Sequence, residues 1–117
     1  MARRYGYLLK NAEVWVSEYV DMLDIKYVPC IRWDRRLRVQ IANAEIWEDR
    51  AKIRLSPESY PLVPPKRRIE VIAHEMCHLA AWERFGTKIE HHGPEWSELM
   101  ESLGFEPHAT FPIERSR

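Results

Sequence analysis

The segment KRRIEVIAHEMCHLAAWERFG, residues 66–86, limits what this chain can become more than any other stretch. It follows a proline pair and ends on Gly86, so it predicts a helix over residues 66–85. A wheel at about 100° per residue puts Ile69, Ile72, Ala73, Met76 and Ala80 on one stripe. Val71, Ala81, Trp82 and Phe85 fill much of the other side. A helix apolar almost all round must be covered on two faces. Yet His74 and His78, with Glu75 on the shoulder, fall inside that apolar surface, and a buried polar cluster needs a partner.

The rest of the chain offers the covering layers. From Leu8 onward Ala12, Trp15, Val16, Tyr19, Val20 and Leu23 recur at three- and four-residue steps, an amphipathic helix over 8–24. After Pro29, RRLRVQIA alternates Leu37, Val39 and Ile41 with Arg36, Arg38 and Gln40, the pattern of a half-buried strand. A second run with Ile46 and Trp47 follows Asn43, and AKIRLS alternates Ile53 and Leu55 with Lys52 and Arg54. The expectation is a small antiparallel sheet within about 30–56. SPESYPLVPP is too rich in proline for an inner strand or helix interior and reads as a loop. Pro94, Trp96, Leu99, Met100, Leu103 and Gly104 outline a short helix over 94–103, and the tail EPHATFPIERSR has no periodicity. These elements predict one α+β domain over 1–117, a small sheet packed on helices. At 117 residues, with five Trp, five Tyr and three Phe, it has bulk enough for a core without a disulfide.

Charge narrows the partners. Eighteen basic and eighteen acidic side chains cancel, so no global field favours nucleic acid or an anionic membrane. The distribution is uneven: residues 1–68 carry 14 Lys/Arg against 9 Asp/Glu, and residues 69–117 carry 4 against 9. A local basic face on the first half is therefore possible, with attraction between the halves as the plainer reading. Cys30 and Cys77 fit buried thiols in a reducing compartment. The apolar run near the N-terminus is too short and interrupted for a signal or a span, so a soluble cytoplasmic protein, not a membrane one, is expected.

HEMCH, residues 74–78, places two imidazoles four positions apart, side by side on one helix face, where they can share one Zn2+ ion. Glu75 is suited to hold a water on that ion and take its proton. A third protein ligand is needed. Ala81 and Arg84 stand three and six residues after His78, where one large class of such enzymes has glycine and histidine, so that class is excluded. Glu95 and Glu98 on the last helix are candidates. His92, just before the helix N-terminus that keeps an imidazole neutral, is another.

HEMCH followed by HGPEW, with the strand IRLS upstream and M...LG downstream, resembles the SprT-like zinc metalloprotease family, a likeness that runs over about residues 30–106. The resemblance implies a zincin-like metalloprotease core with zinc on His74, His78 and the histidine directly before Gly93, which is His92. His91 is the lesser candidate. It implies Glu75 as the general base, and protein or peptide substrates, DNA-bound or crosslinked proteins among them. Many members continue into a four-cysteine zinc ribbon, whereas this sequence holds only Cys30 and Cys77. For DNA, Arg32, Arg35, Arg36 and Arg38 are the candidates for phosphate contacts and Trp33 or Trp47 for base stacking. Packing for the tryptophans and solvation for the arginines is the favoured reading. His108 reads as an exposed tail residue.

The expected reaction is zinc-dependent hydrolysis of a peptide bond in a substrate lying extended along a sheet edge, with the AKIRLS strand as that edge. The rival is a non-catalytic module whose zinc is closed off by a fourth protein ligand and whose basic strands dock nucleic acid or a protein.

Overall fold

A computed structural model describes residues 2–111, with side chains from Gly6 to Phe111. The chain runs α1 (Ala2–Leu23), β1 (Cys30–Trp33), β2 (Ala42–Ile46), β3 (Ala51–Leu55), 3-10 turns at Tyr60–Leu62 and Pro65–Arg67, α2 (Arg68–Phe85) and α3 (Pro94–Ser102). The architecture is α+β: three helices and a three-stranded sheet.

The buried stripe of α1 is Leu8, Ala12, Val16, Tyr19 and Leu23. The helix ends where Asp24 takes a left-handed conformation, φ 54°. The Ile25 N–H then reaches back to the Val20 carbonyl at 3.0 Å, and the Asp24 N–H to Asp21 at 3.3 Å. This is a double-bonded C-cap with an aspartate where glycine is usual, and the buried Ile25 supplies its apolar contact. The next residue is fastened to α2, because the Lys26 N–H donates to the Glu83 carboxylate at 3.0 and 3.1 Å. Arg84 donates to the Leu23 carbonyl beside it.

In β3 the side chains alternate as expected, with Ala51, Ile53 and Leu55 buried and Lys52 and Arg54 on the far face. The sheet order is β1-β3-β2. β2 pairs antiparallel with β3, Ala44 opposite Ile53, but β1 pairs parallel, Ile31 opposite Ile53. Two expectations are corrected here. The sheet is mixed rather than antiparallel, and the AKIRLS strand lies at its centre, leaving β1 and β2 as the edges.

Of the RRLRVQIA stretch, residues 35–40 form no strand, and only Ile41 and Ala42 meet the ladder, where β2 begins. The Asp34 carboxylate accepts from the Arg36 N–H at 2.9 Å, and the Leu37 N–H bonds to the Asp34 carbonyl at 3.1 Å, so the chain turns locally instead of joining a ladder. Val39 is 95% exposed in consequence. Asp34 also binds the Arg36 guanidinium and, at 3.0 Å, that of Arg54, which hold its carboxyl well below the usual carboxylate range. Cys30 is likewise not a core residue, since it sits exposed on an edge strand, whereas Cys77 is buried.

Every residue of α2 from Val71 to Ala81 is buried. It packs against α1, α3 and the sheet through β2. Ala42 and Ala44 are the inward residues of β2, and their small side chains let the helix seat close to that edge. The buried side chains of α3, Trp96, Leu99 and Met100, close the far side of α2. No helix among the described residues is long and apolar enough to cross a membrane.

Candidate metal centre

Three side chains from two elements converge on one point. His74 and His78 come from adjacent turns of α2, both 6% exposed. His92 comes from the turn before α3. That turn is tight: a Cβ on Gly93 would lie 2.8 Å from the Glu90 Cβ, so only glycine fits. The Ser97 N–H bonds to the Gly93 carbonyl at 3.0 Å as α3 begins, and the turn delivers His92 over α2.

The Nε2 atoms of His74, His78 and His92 lie 3.2 Å from one another in all three pairs. A tetrahedral ion with Zn–N distances of about 2.0–2.1 Å would need nitrogens about 3.3–3.4 Å apart, so the donor set fits such an ion. In the ligand form these are three lone pairs pointing at a common centre, an arrangement that repels itself unless a cation fills it. Burial, and for His74 the neighbouring His92, pushes the His74 imidazole down to about 4. The main chain of His108, which faces that ring, acts in the opposite sense. Burial together with His74, His92 and His91 pushes His78 down to about 3, and burial and His91 also lower His92. All three imidazoles are therefore neutral at pH 7, as metal ligands must be.

Among the described residues these three histidines form the one group of His, Cys, Asp or Glu able to hold a metal ion. His91 lies against His78 and Trp82 but outside the triad. Glu95 and Glu98 are outside it too, and Cys77 is buried away in the core.

Glu75 is 6% exposed, with its Oε2 3.9 Å from the His74 Nε2. Burial pushes its carboxyl up to about 8. A cation on the triad would draw it back down. Glu75 and the three histidines line a cleft of about 470 Å³ together with residues 38–44, which include the start of β2.

Sequence reasoning missed the aromatic frame around the ligands. Trp96 touches all three rings: it stacks on His78 at 5.5 Å and meets His74 and His92 edge-on at 4.8 and 4.7 Å. Trp82 stacks on His78 from α2 itself at 5.3 Å. Phe111, from the tail, meets His74 at 5.5 Å. Trp96 and Trp82 were legible only as packing residues, and nothing in the tail pattern marked Phe111. Of the candidates for nucleic acid, Trp33 is half-buried against Tyr60, and Trp47 is 47% exposed beneath the Arg50 guanidinium.

The sequence profile of the SprT-like family matches residues 12–117. Similar curated proteins are Protein SprT of Klebsiella pneumoniae subsp. pneumoniae, 39% identical over 59 residues, and Protein SprT of Cronobacter sakazakii, 36% identical over 62 residues. The alignments cover 49% and 53% of this chain and 34% and 37% of those proteins, so the matched part spans about a third of their length. With the family profile running through nearly all of the sequence and three histidines gathered to hold a metal ion, this chain belongs to the SprT-like family.

Proposed function

We propose that this chain is a zinc-dependent endopeptidase core acting on extended segments of protein substrates. The observation that carries the reading is the triad of Nε2 atoms beside Glu75 on the wall of an open cleft, with no fourth protein donor in the group among the described residues. A structural zinc site would be closed by such a donor, and a catalytic one keeps a position open. The non-catalytic module is therefore the weaker reading.

His74, His78 and His92 would hold the ion. When bound, zinc supplies Lewis acidity toward a water and toward the scissile carbonyl. Glu75 Oε2 takes the proton of the attacking water and passes it to the leaving amine. Only 6% of Glu75 is exposed, so its carboxylate meets solvent through the cleft alone.

Substrate is bound by β2, not by the AKIRLS strand. The ladder bonds Trp47 N–H to Arg50 carbonyl and Ser56 N–H to Ile41 carbonyl fix the alternation, so residues 41, 43 and 45 bond to β3. Ala42 and Ala44 turn their N–H and carbonyl groups to the free edge, where an extended chain can pair with them. Main-chain pairing accepts many sequences, which suits protein substrates in general, DNA-bound or crosslinked ones included. The reading also takes the protein to be cytoplasmic, with both thiols reduced.

The test is Glu75→Gln in the full chain, with zinc content measured beside cleavage of an unfolded protein, with and without single-stranded DNA. The expected result is unchanged zinc and lost cleavage. Retained cleavage by Glu75→Gln removes this mechanism, and bound zinc with no cleavage of any substrate by the parent protein favours the binding module. DNA-stimulated cleavage that weakens steeply with salt would assign phosphate contacts to the arginines.

A further inference from the structure

The tail after α3 is not passive. Gly104, at φ 90°, reverses the chain, the Phe105 N–H caps α3 through the Met100 carbonyl at 3.1 Å, and the segment returns over the cleft. Ala109, Thr110 and Phe111 line the cleft together with Val71 and Ser59. They lie at the end of the site occupied by His74, and Trp82 and His91 flank His78 at the other.

The Phe111 ring is held at two points. One is the His74 imidazole, 5.5 Å away and inclined by 62°. The other is the Arg67 guanidinium, 5.7 Å from the ring centroid. Arg67 is itself fixed by Glu70 at 2.9 Å, one helical turn before His74. Both supports therefore belong to α2 or to the 3-10 turn that leads into it, which ties the ring to the elements that carry the site. A side chain on a strand paired with β2 that points toward His74 would enter the part of the cleft that Val71 and this ring help to line.

We propose that Phe111, clamped between His74 and Arg67, is the side wall of the substrate groove at the His74 end and sets how large a substrate side chain that end accepts. The proposal rests on the peptidase reading for its biological sense, but its geometry can be tested without turnover. A pocket wall of this kind discriminates by about 10- to 200-fold between side chains differing by a single methylene.

The probes are peptide hydroxamates, which chelate zinc, carrying Gly, Leu, Phe or naphthylalanine next to the chelating group. Their affinities are measured by calorimetry on the zinc-loaded full chain, its Phe111→Ala and Phe111→Leu variants, and Arg67→Met. Wild type should disfavour the naphthyl side chain relative to Leu. Phe111→Ala should improve naphthyl over Gly by about tenfold, Phe111→Leu by less, and Arg67→Met in the same direction by freeing the ring. The same size ranking in Phe111→Ala and wild type, with zinc content and melting unchanged, overturns the wall. Peptide cleavage is followed on the same preparations. A ranking that shifts as expected without any cleavage sinks the peptidase reading and leaves the wall standing, whereas cleavage with an unshifted ranking sinks the wall alone.

Discussion

The indole Nε1–H of Trp96 donates to the main-chain carbonyl of His74 at 3.0 Å, in a buried position. The bond joins α3 to the turn of α2 that bears the first histidine, while the same indole packs on all three imidazoles. Trp96→Phe keeps part of the ring system but removes the second donor to a carbonyl that already serves the helical ladder of α2, at a cost of about 0.5–1.5 kcal/mol for that bond. The variant should melt about 2–8 °C lower and bind zinc more weakly, which calorimetry and a competitive chelator titration will read. Unchanged zinc affinity would show that the indole supports the fold alone.

Adjacent histidines separate ligand from neighbour. His92→Ala removes one Nε2 of the triad and should weaken zinc binding by more than the about 10- to 100-fold typical of losing a supporting residue, whereas His91→Ala should stay within that range. Equal losses in the two variants would mean that the turn before α3 can present either imidazole.

Without metal, stability should pass through a maximum in pH. Glu75 is pushed up to about 8, so between pH 8 and its ordinary 4.5 the folded state holds a proton that the unfolded state lacks, and stability rises as pH falls. His74 and His78 are pushed down to about 4 and about 3, so below their ordinary 6.5 the unfolded state binds the extra protons, and stability falls with pH. Two imidazoles outweigh one carboxyl. Melting temperature in chelator should therefore climb from pH 8 to about 6.5 and then decline toward pH 4.5. Glu75→Gln should abolish the climb and steepen the decline. A monotonic profile for both proteins would contradict the burial assigned to these groups.

The free edge of β2 makes a positional prediction. Ala44→Pro deletes an N–H on the free edge and spares the ladder to β3, while its ring adds bulk where Ala44 seats β2 against α2, so the protein should melt lower yet retain zinc, with kcat/KM lowered by about tenfold, mostly through KM. Asn43→Pro deletes a ladder donor and should instead destabilise the sheet. Circular dichroism and peptide kinetics on the pair distinguish the two roles.

How much of this was legible depended on the range of the interactions. The His74–His78 pair follows from helix spacing, a local rule, and the apolar surface around it announced burial on more than one face. His92 was one of three candidates by residue chemistry, and the resemblance to a known motif singled it out. The strand expected at Leu37, Val39 and Ile41 failed because one side chain, Asp34, offered the backbone a local turn. The parallel pairing of β1 could not be read, because CIRW is four residues long and its partner lies some twenty positions away. Phe111 was hidden for a similar reason: a lone aromatic in an aperiodic tail acquires meaning only where the fold brings it.

The His78 imidazole stands between the near-parallel rings of Trp82 and Trp96. A ring packed on both indoles is held toward the site against the mutual repulsion of the three lone pairs before any ion arrives. Much of the entropy of assembling the ligands is therefore lost during folding, so uptake of a metal ion should be limited by how fast the ion sheds its own hydration, and the chain should fold without it.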